Sequence, residues 1–262
     1  MIEVSSTTPS IGKQNFSTAL IEAVEILPTT SSECYSVCLY REPLYKTIKP
    51  RVDFKDRYLK PFQEDVKKHL DANKIDLNIF CDQESLELAL SLKTGSVYLV
   101  KQKPLYPFFQ HLYRYYSVFL NTPGVQTYHF RGMDNIVSSD NSVKNRRAFH
   151  RSDMDVLNMP YFRRGIETYC PIRGSCSVSR NGIKSLATFL KDNRFFPDLN
   201  NPKLLWHSDE DFLSEWYNMI KHTLGSFIIV DRPLPMDFYF DLKNMIDKQS
   251  NFTIINSERG DI

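Results

Sequence analysis

Short apolar runs alternate with amphipathic stretches through the first half of the chain. Tyr35–Tyr40, closing on SVCLY, reads as a buried strand. Pro61 opens a helix, since its missing N–H costs nothing at a first helical position, and Phe62, Val66 and Leu70 recur at helical spacing behind it. Leu77–Cys81 is the next apolar run, and Asp82 follows as the N-cap of a helix carrying Leu86, Ala89 and Leu90. Gly95 punctuates the chain before a third strand at Val97–Val100. Pro107 then opens a helix with Phe109, Leu112, Tyr116 and Phe119 on one face. Pro123-Gly124 ends it, and Gln126–Phe130 is a fourth strand. Alternation at these spacings suits parallel crossovers. The predicted class is α/β, with a mainly parallel central sheet flanked by helices and these four strands as neighbours.

The pattern loosens after residue 135. Residues 140–157 are polar with scattered apolar positions and predict a helix. Pro160, Gly165, Pro171, Gly174 and Gly182 mark a loop-and-strand region. Ile183, Leu186, Ala187 and Leu190 predict one helix, and Phe212, Leu213, Trp216 and Ile220 another. Phe227–Val230 reads as a buried strand, and Phe238, Leu242, Met245 and Ile246 outline a last helix. Residues 1–32 are rich in Ser and Thr, with one short amphipathic stretch around Leu20, Ala23, Val24 and Leu27. They predict an N-terminal extension, with 33–262 as a single domain.

Composition narrows the function classes. A 262-residue chain with 42% hydrophobic residues can bury one large core. Lys and Arg total 33 against 31 Asp and Glu, a formal charge of +2. So even a balance gives no global electrostatic grip on nucleic acid. The local cluster Lys144, Arg146, Arg147 and Arg151 is either a solvated helix face or a contact for a diphosphate or anionic acceptor. Cys34, Cys38, Cys81, Cys170 and Cys176 form no CxxC pair and read as core thiols of a reducing compartment. The start lacks a basic segment and an unbroken apolar run, and no stretch reaches the roughly 20 apolar residues of a membrane span. These features predict a cytoplasmic protein with no integral membrane segment.

The most informative decapeptide is QTYHFRGMDN, residues 126–135. A strand breaks at Gly132 and delivers Asp134 and Asn135 directly after it. Ligands sit at the carboxyl ends of strands in open α/β sheets, so an Asp there can reach a phosphate-bound metal. The same residues also make an ordinary turn. SDEDFL, residues 208–213, offers a similar choice. Its acids complement a helix dipole, or one of Asp209, Glu210 and Asp211 is a general base toward a hydroxyl. Arg114, within LYRYYSVF, either snorkels or contacts an anion. His150-Arg151-Ser152, His207 and His222 form no recognisable catalytic set, and neither a P-loop nor a G-x-G-x-x-G nor a G-x-S-x-G elbow occurs.

In order, VCLYREPLY, LNIFCDQES, VYLVKQ, HLYRYYSVFL, VQTYHFRGMDN, PIRGSCSV and SDEDFL resemble the blocks of GT-A-type glycosyltransferase-like proteins of surface-glycan loci. In those proteins an aromatic–Arg–aromatic helix leads through a strand to R-D-x-D-S, then to a Pro-Ile block and an acidic D-x-D-F-L helix start. The blocks span residues 34–232. The resemblance implies a glycosyltransferase acting on a nucleotide-diphosphate sugar and a glycan or other hydroxyl acceptor. It places Tyr40 and Arg41 near the base or ribose, Asp82 near the nucleoside, and Arg114 and Arg131 at the diphosphate. Asp134 would hold a divalent cation, Mn²⁺ or Mg²⁺, and Asp211 or Asp209 would be the base. One departure stands out. Gly132 occupies the position of the first Asp of the D-x-D, which opens metal-independent transfer, or a non-catalytic GT-A-like binding or assembly module, as alternatives.

Overall fold

The computed structural model describes residues 20–39, 59–64, 66, 75–101, 107–120, 122–132, 140–163, 168–192, 208–230 and 252–256. At its centre is a nine-stranded sheet of order β1-β4-β3-β2-β5-β9-β6-β10-β11. The first five strands are β1 (Ile21–Glu25), β2 (Glu33–Leu39), β3 (Asp76–Cys81), β4 (Ser96–Val100) and β5 (Thr127–Phe130). β6 (Val156–Asn158), β9 (Ser177–Ser179), β10 (Ser226–Val230) and β11 (Phe252–Asn256) complete it. β7 (Tyr161–Arg163) and β8 (Thr168–Cys170) form a separate antiparallel pair.

β4, β3, β2 and β5 are mutually parallel neighbours, as the apolar runs predict. β6, β10 and β11 are parallel to one another. β9 runs antiparallel to both β5 and β6, so the two parallel blocks point the same way. β1 lies antiparallel to β4 at the edge, which gives part of the Ser/Thr-rich amino-terminal segment a place in the sheet.

Both faces of the sheet are covered, which is why its strands read as near-continuous apolar runs. Along β2, Cys34 and Cys38 join one core cluster, while Tyr35, Val37 and Leu39 join the other. The first face is packed by the helix Pro107–Phe119 together with α3 (Arg180–Asp192) and α4 (Ser208–Ile220). The second takes Phe62 and Val66 from helical residues 60–64 and 66, and Ala89 from α1 (Leu86–Ser91). Phe149 of α2 (Asp140–Arg151) packs with Leu157, Phe227 and Ile229 in a third cluster.

Two sequence expectations need correction. Residues 140–157 are not one helix: α2 ends at Arg151, and Val156–Asn158 is strand β6, registered between β9 and β10. Pairing on both sides overrides the weak local pattern there. The aromatic helix Pro107–Phe119 has 3₁₀ rather than α-helical geometry. Three residues per turn stack Arg114 above Ser117 on one ridge. That ridge meets a buried polar spine: Ser36 Oγ donates to the Arg114 carbonyl, Ser117 Oγ to Ser36 Oγ at 2.7 Å, and Asn78 Nδ2 to Ser117 Oγ at 3.2 Å. Enclosed between the sheet and α3 and α4, Leu112 through Val118 are all buried. A single apolar stripe could not satisfy that setting. The expected helix over 238–246 lies outside the described residues.

Candidate functional site

From β2 the chain proceeds to β3 and β4 on one side, then returns to place β5 on the other side of β2. β2 and β5 therefore flank a topological switch point, and in open α/β sheets ligands bind beyond the carboxyl ends of strands at such a point. Leu39 ends β2, Cys81 ends β3 and Phe130 ends β5, so Asp82, Arg131 and Gly132 stand along this edge. Tyr40, Arg41 and Asp134 follow the same strand ends but lie outside the described residues.

Asp82 caps the turn behind β3: its Oδ1 accepts from the Ser85 N–H at 2.9 Å. Burial raises the pKa of this carboxyl, against the lowering effect of the Ser85 hydrogen bonds. The N-cap read from the sequence is thus present, directly after β3.

Arg131 is buried, and Nη1 donates to the Phe130 and Ser175 carbonyls at 2.8 Å and to that of Cys176 at 3.3 Å. Its guanidinium carbon lies 5.8 Å from the centre of the Tyr35 ring. Burial lowers its pKa, and the nearby Arg146 charge adds to this against the pull of Tyr35. Arg114, also buried, makes an ion pair with Asp209, and its Nη2 donates to Tyr115 Oη at 3.1 Å. Burial acts to lower the Arg114 pKa, but Tyr115 and Asp209 outweigh it and raise it. Arg114 Nε has no hydrogen-bond partner, although it is fully buried.

Both arginines converge on the loop carrying Gly174 and Ser175. Tyr115 Oη donates to the Gly174 carbonyl at 3.1 Å. A Cβ at Gly174 would collide with the Arg114 guanidinium and the Asp209 carboxylate, so only glycine lets the loop approach this pair. Four sequence-predicted elements therefore meet: the aromatic helix, the strand exit at Arg131, the Pro-Ile block and the acidic helix start. Asp211 does not join them. It lies two residues, about 200°, around α4 from Asp209, away from the buried side formed by Phe212, Leu213 and Trp216.

A second buried polar cluster braces the other side of the sheet. His129, fully buried, is held between Glu33 Oε2 at 3.0 Å and Ser177 Oγ at 2.8 Å. Arg146 Nε lies 3.3 Å from the same Glu33 oxygen, and Arg146 Nη1 donates to Tyr35 Oη. Burial drives the His129 imidazole down to about 3, with the neighbouring arginines helping and Glu33 opposing. Burial works to raise the Glu33 carboxyl, yet His129 and Arg146 prevail and hold it below its ordinary value. Sequence reading set Arg146 in a basic helix face and passed over Glu33 and His129. Their contacts bridge 96 positions, and nothing local signals them. The exposure pattern of α2 separates Arg146, which is buried, from exposed Lys144 and Arg147.

All five cysteines are buried, and none is in a disulfide. Among the described residues, no group of three or more His, Cys, Asp or Glu side chains is placed to hold a metal ion, and no helix is long and apolar enough to cross a membrane.

No protein-family model matches this chain, and no curated protein matches its sequence. Solved structures similar to it include 4-diphosphocytidyl-2C-methyl-D-erythritol synthase from Anaerococcus prevotii, at 7% identity and TM-score 0.49 over 83% of this chain and 96% of that one. CMP:2-keto-3-deoxy-manno-octonic acid synthetase complexed with CTP is similar at 11% identity and TM-score 0.47, over 82% of this chain and 96% of that one. Rv0371c from Mycobacterium tuberculosis follows at 12% identity and TM-score 0.44, over 84% and 100%. At such identities the likeness says nothing of substrate.

Proposed function

We propose that this chain is a glycosyltransferase that moves a sugar from a nucleotide-diphosphate donor to a glycan or other hydroxyl acceptor. The observation that supports the reading is the switch point between β2 and β5, the strands out of which the sequence blocks VCLYREPLY and VQTYHFRGMDN run. Tyr40 and Arg41, following β2, would contact the base or ribose, and Asp82 the nucleoside. Asp134, following β5, would face the diphosphate.

Charge that develops on a leaving diphosphate is the main electrostatic demand of such a reaction. Arg131, directly after β5, would supply fixed positive charge, and Arg114, balanced by Asp209, an oriented ion-pair dipole. Both are already engaged by protein groups, so they would act by orientation and field. Asp209, locked to Arg114, would position the acidic helix start, and Asp211 would take the acceptor proton. A divalent cation would belong at Asp134. The described residues form no ligand cluster of their own.

A second reading is a non-catalytic binding or assembly module. Gly132 in place of a carboxylate, and the engagement of both arginines by carbonyls and Asp209, favour it. Thermal unfolding against a panel of nucleotide-diphosphate sugars, with and without Mn²⁺, separates the two. A donor at 100 times its Kd should stabilise the fold by about 2.7 kcal/mol. Stabilisation with release of the nucleotide diphosphate supports the transferase, and stabilisation without turnover supports the module. No shift with any donor overturns the transferase and favours the module.

A further inference from the structure

Tyr35 stands where the exit from β5 meets the buried polar cluster. It is registered opposite His129, and the two rings meet edge to face at 5.5 Å. Arg131 follows two residues after His129, and its N–H donates to the Ser36 carbonyl at 3.0 Å, so the β2–β5 ladder continues up to this residue. The Arg131 guanidinium has two supports. Nη1 is fixed by the Phe130, Ser175 and Cys176 carbonyls, and the Tyr35 ring lies 5.8 Å away. The carbonyls belong to the backbone, whereas the ring can tilt about its own torsions unless its far end is held. Arg146 holds that end. Its Nη1 donates to Tyr35 Oη, with the guanidinium carbon 5.1 Å from the ring centre.

Stability alone does not account for Arg146. The residue is 1% exposed. Among the described residues nothing accepts from its Nη2, and Nε meets Glu33 Oε2 at 3.3 Å as an ion pair without hydrogen-bond geometry. A buried donor left unmade costs about 1–3 kcal/mol, and an apolar side chain of similar length would fill the space without that loss. Lys144 and Arg147 of the same helix are exposed, so a basic α2 does not require a guanidinium turned inward. What Arg146 supplies, and an apolar residue could not, is a directional donor to Tyr35 Oη.

We propose that Arg146 is a positioning residue for Arg131, acting through Tyr35: it fixes the tilt of the ring, and the ring fixes the plane of the guanidinium at the end of β5. Both Arg146 and Tyr35 are buried and act without touching a substrate. That the fixed guanidinium faces a leaving diphosphate rests on the sugar-transfer reading, but the positioning itself does not.

The test uses the full chain with nitrogen-15 arginine, in which the Arg131 Nε–H resonance is identified by its disappearance in Arg131→Lys. Wild type should give one narrow Arg131 signal. Tyr35→Phe keeps the ring and removes its hydroxyl, and Arg146→Met keeps the length and removes the donor. Each should shift and broaden the Arg131 signal, and the double variant should go no further than the singles, because both act on one path. Phe149→Leu loosens α2 in its other cluster and should leave the signal in place, even at a larger drop in melting temperature. With a donor that wild type turns over, Tyr35→Phe and Arg146→Met should lose roughly 10–10²-fold in kcat with KM little changed.

A broad or missing Arg131 signal in wild type, a signal unmoved in both variants, or one moved as far by Phe149→Leu overturns the proposal, whether or not the chain transfers sugar. So does wild-type turnover in a variant whose signal has moved. If Arg146→Met does not fold, Tyr35→Phe alone decides. Absence of turnover with every donor defeats the sugar-transfer reading and leaves the resonance comparison to decide the positioning.

Discussion

Arg114 and Asp209, 95 positions apart in the sequence, form a buried ion pair against which Gly174 is pressed. Removing one member leaves the other charged and desolvated. Asp209→Asn should therefore cost about 3–5 kcal/mol, and the double variant Arg114→Met, Asp209→Leu less than the sum of its singles. Denaturant unfolding of the three proteins checks this. Strict additivity would mean that the pair is not coupled.

Asp211 provides the contrast. On the half-exposed side of α4, Asp211→Asn should cost only about 0.3–1 kcal/mol through the helix dipole. On the proposed function it should retain donor binding and lose turnover by roughly 10²–10⁴-fold. Unaltered turnover would remove Asp211 from the reaction.

Gly174→Ala tests the approach of the loop. The added methyl group meets charged atoms that are already paired, so a loss of about 1–3 kcal/mol is expected from overpacking. Ala in place of Gly124 differs. Its φ of 88° is strained for Ala, but the nearest atom to a Cβ is 3.9 Å away, so the cost there is conformational and smaller, about 1 kcal/mol. Thermal melts of the two variants should rank in that order.

The buried His129 gives a pH dependence with a definite sign. Its folded pKa, about 3, lies below the ordinary 6.5, so the unfolded chain binds a proton that the folded chain does not. That contribution to stability is complete above pH 6.5 and is lost as pH falls toward 3, at up to about 1.4 kcal/mol per pH unit. Glu33, whose folded pKa is also lowered, adds loss in the same direction below its ordinary value of 4.5. Unfolding midpoints of wild type and His129→Gln between pH 7 and 4 should converge, and parallel curves would contradict the assignment.

Asp134→Asn preserves shape and turn chemistry while removing charge. On the proposed function it should abolish donor turnover and leave the melting temperature nearly unchanged, as a calorimetric scan beside a product assay would show.

The four central strands were legible because parallel strands buried on both faces are apolar at nearly every position, and Cys34–Leu39 and Leu77–Cys81 carry that signature. Asp82 was legible as a cap because capping is a property of three or four consecutive residues. β6 was not legible: Val156–Asn158 is too short to establish a period, and its partners lie elsewhere in the chain. The same reason hid Glu33 and His129, whose meaning depends on each other and on Arg146. The acidic helix start was visible as a cluster. The orientation of Asp209 inward and Asp211 outward follows only from which face of α4 finds the core.

The short strand β9 has a kinetic consequence. It is the hydrogen-bonded connection between the parallel block β4-β3-β2-β5 and the block β6-β10-β11. The first block is assembled from residues 33–130 and the second from Val156 to Asn256, spans of similar length. Loop closure therefore favours neither, and the order of synthesis puts the first block ahead. During synthesis the amino-terminal block can collapse on its own aromatic helix while its β5 edge waits unpaired, and docking of Ser177–Ser179 is the suture that commits the remainder. Local opening in the finished protein should begin along that seam, so its backbone amides would exchange with solvent sooner than those between β2 and β3.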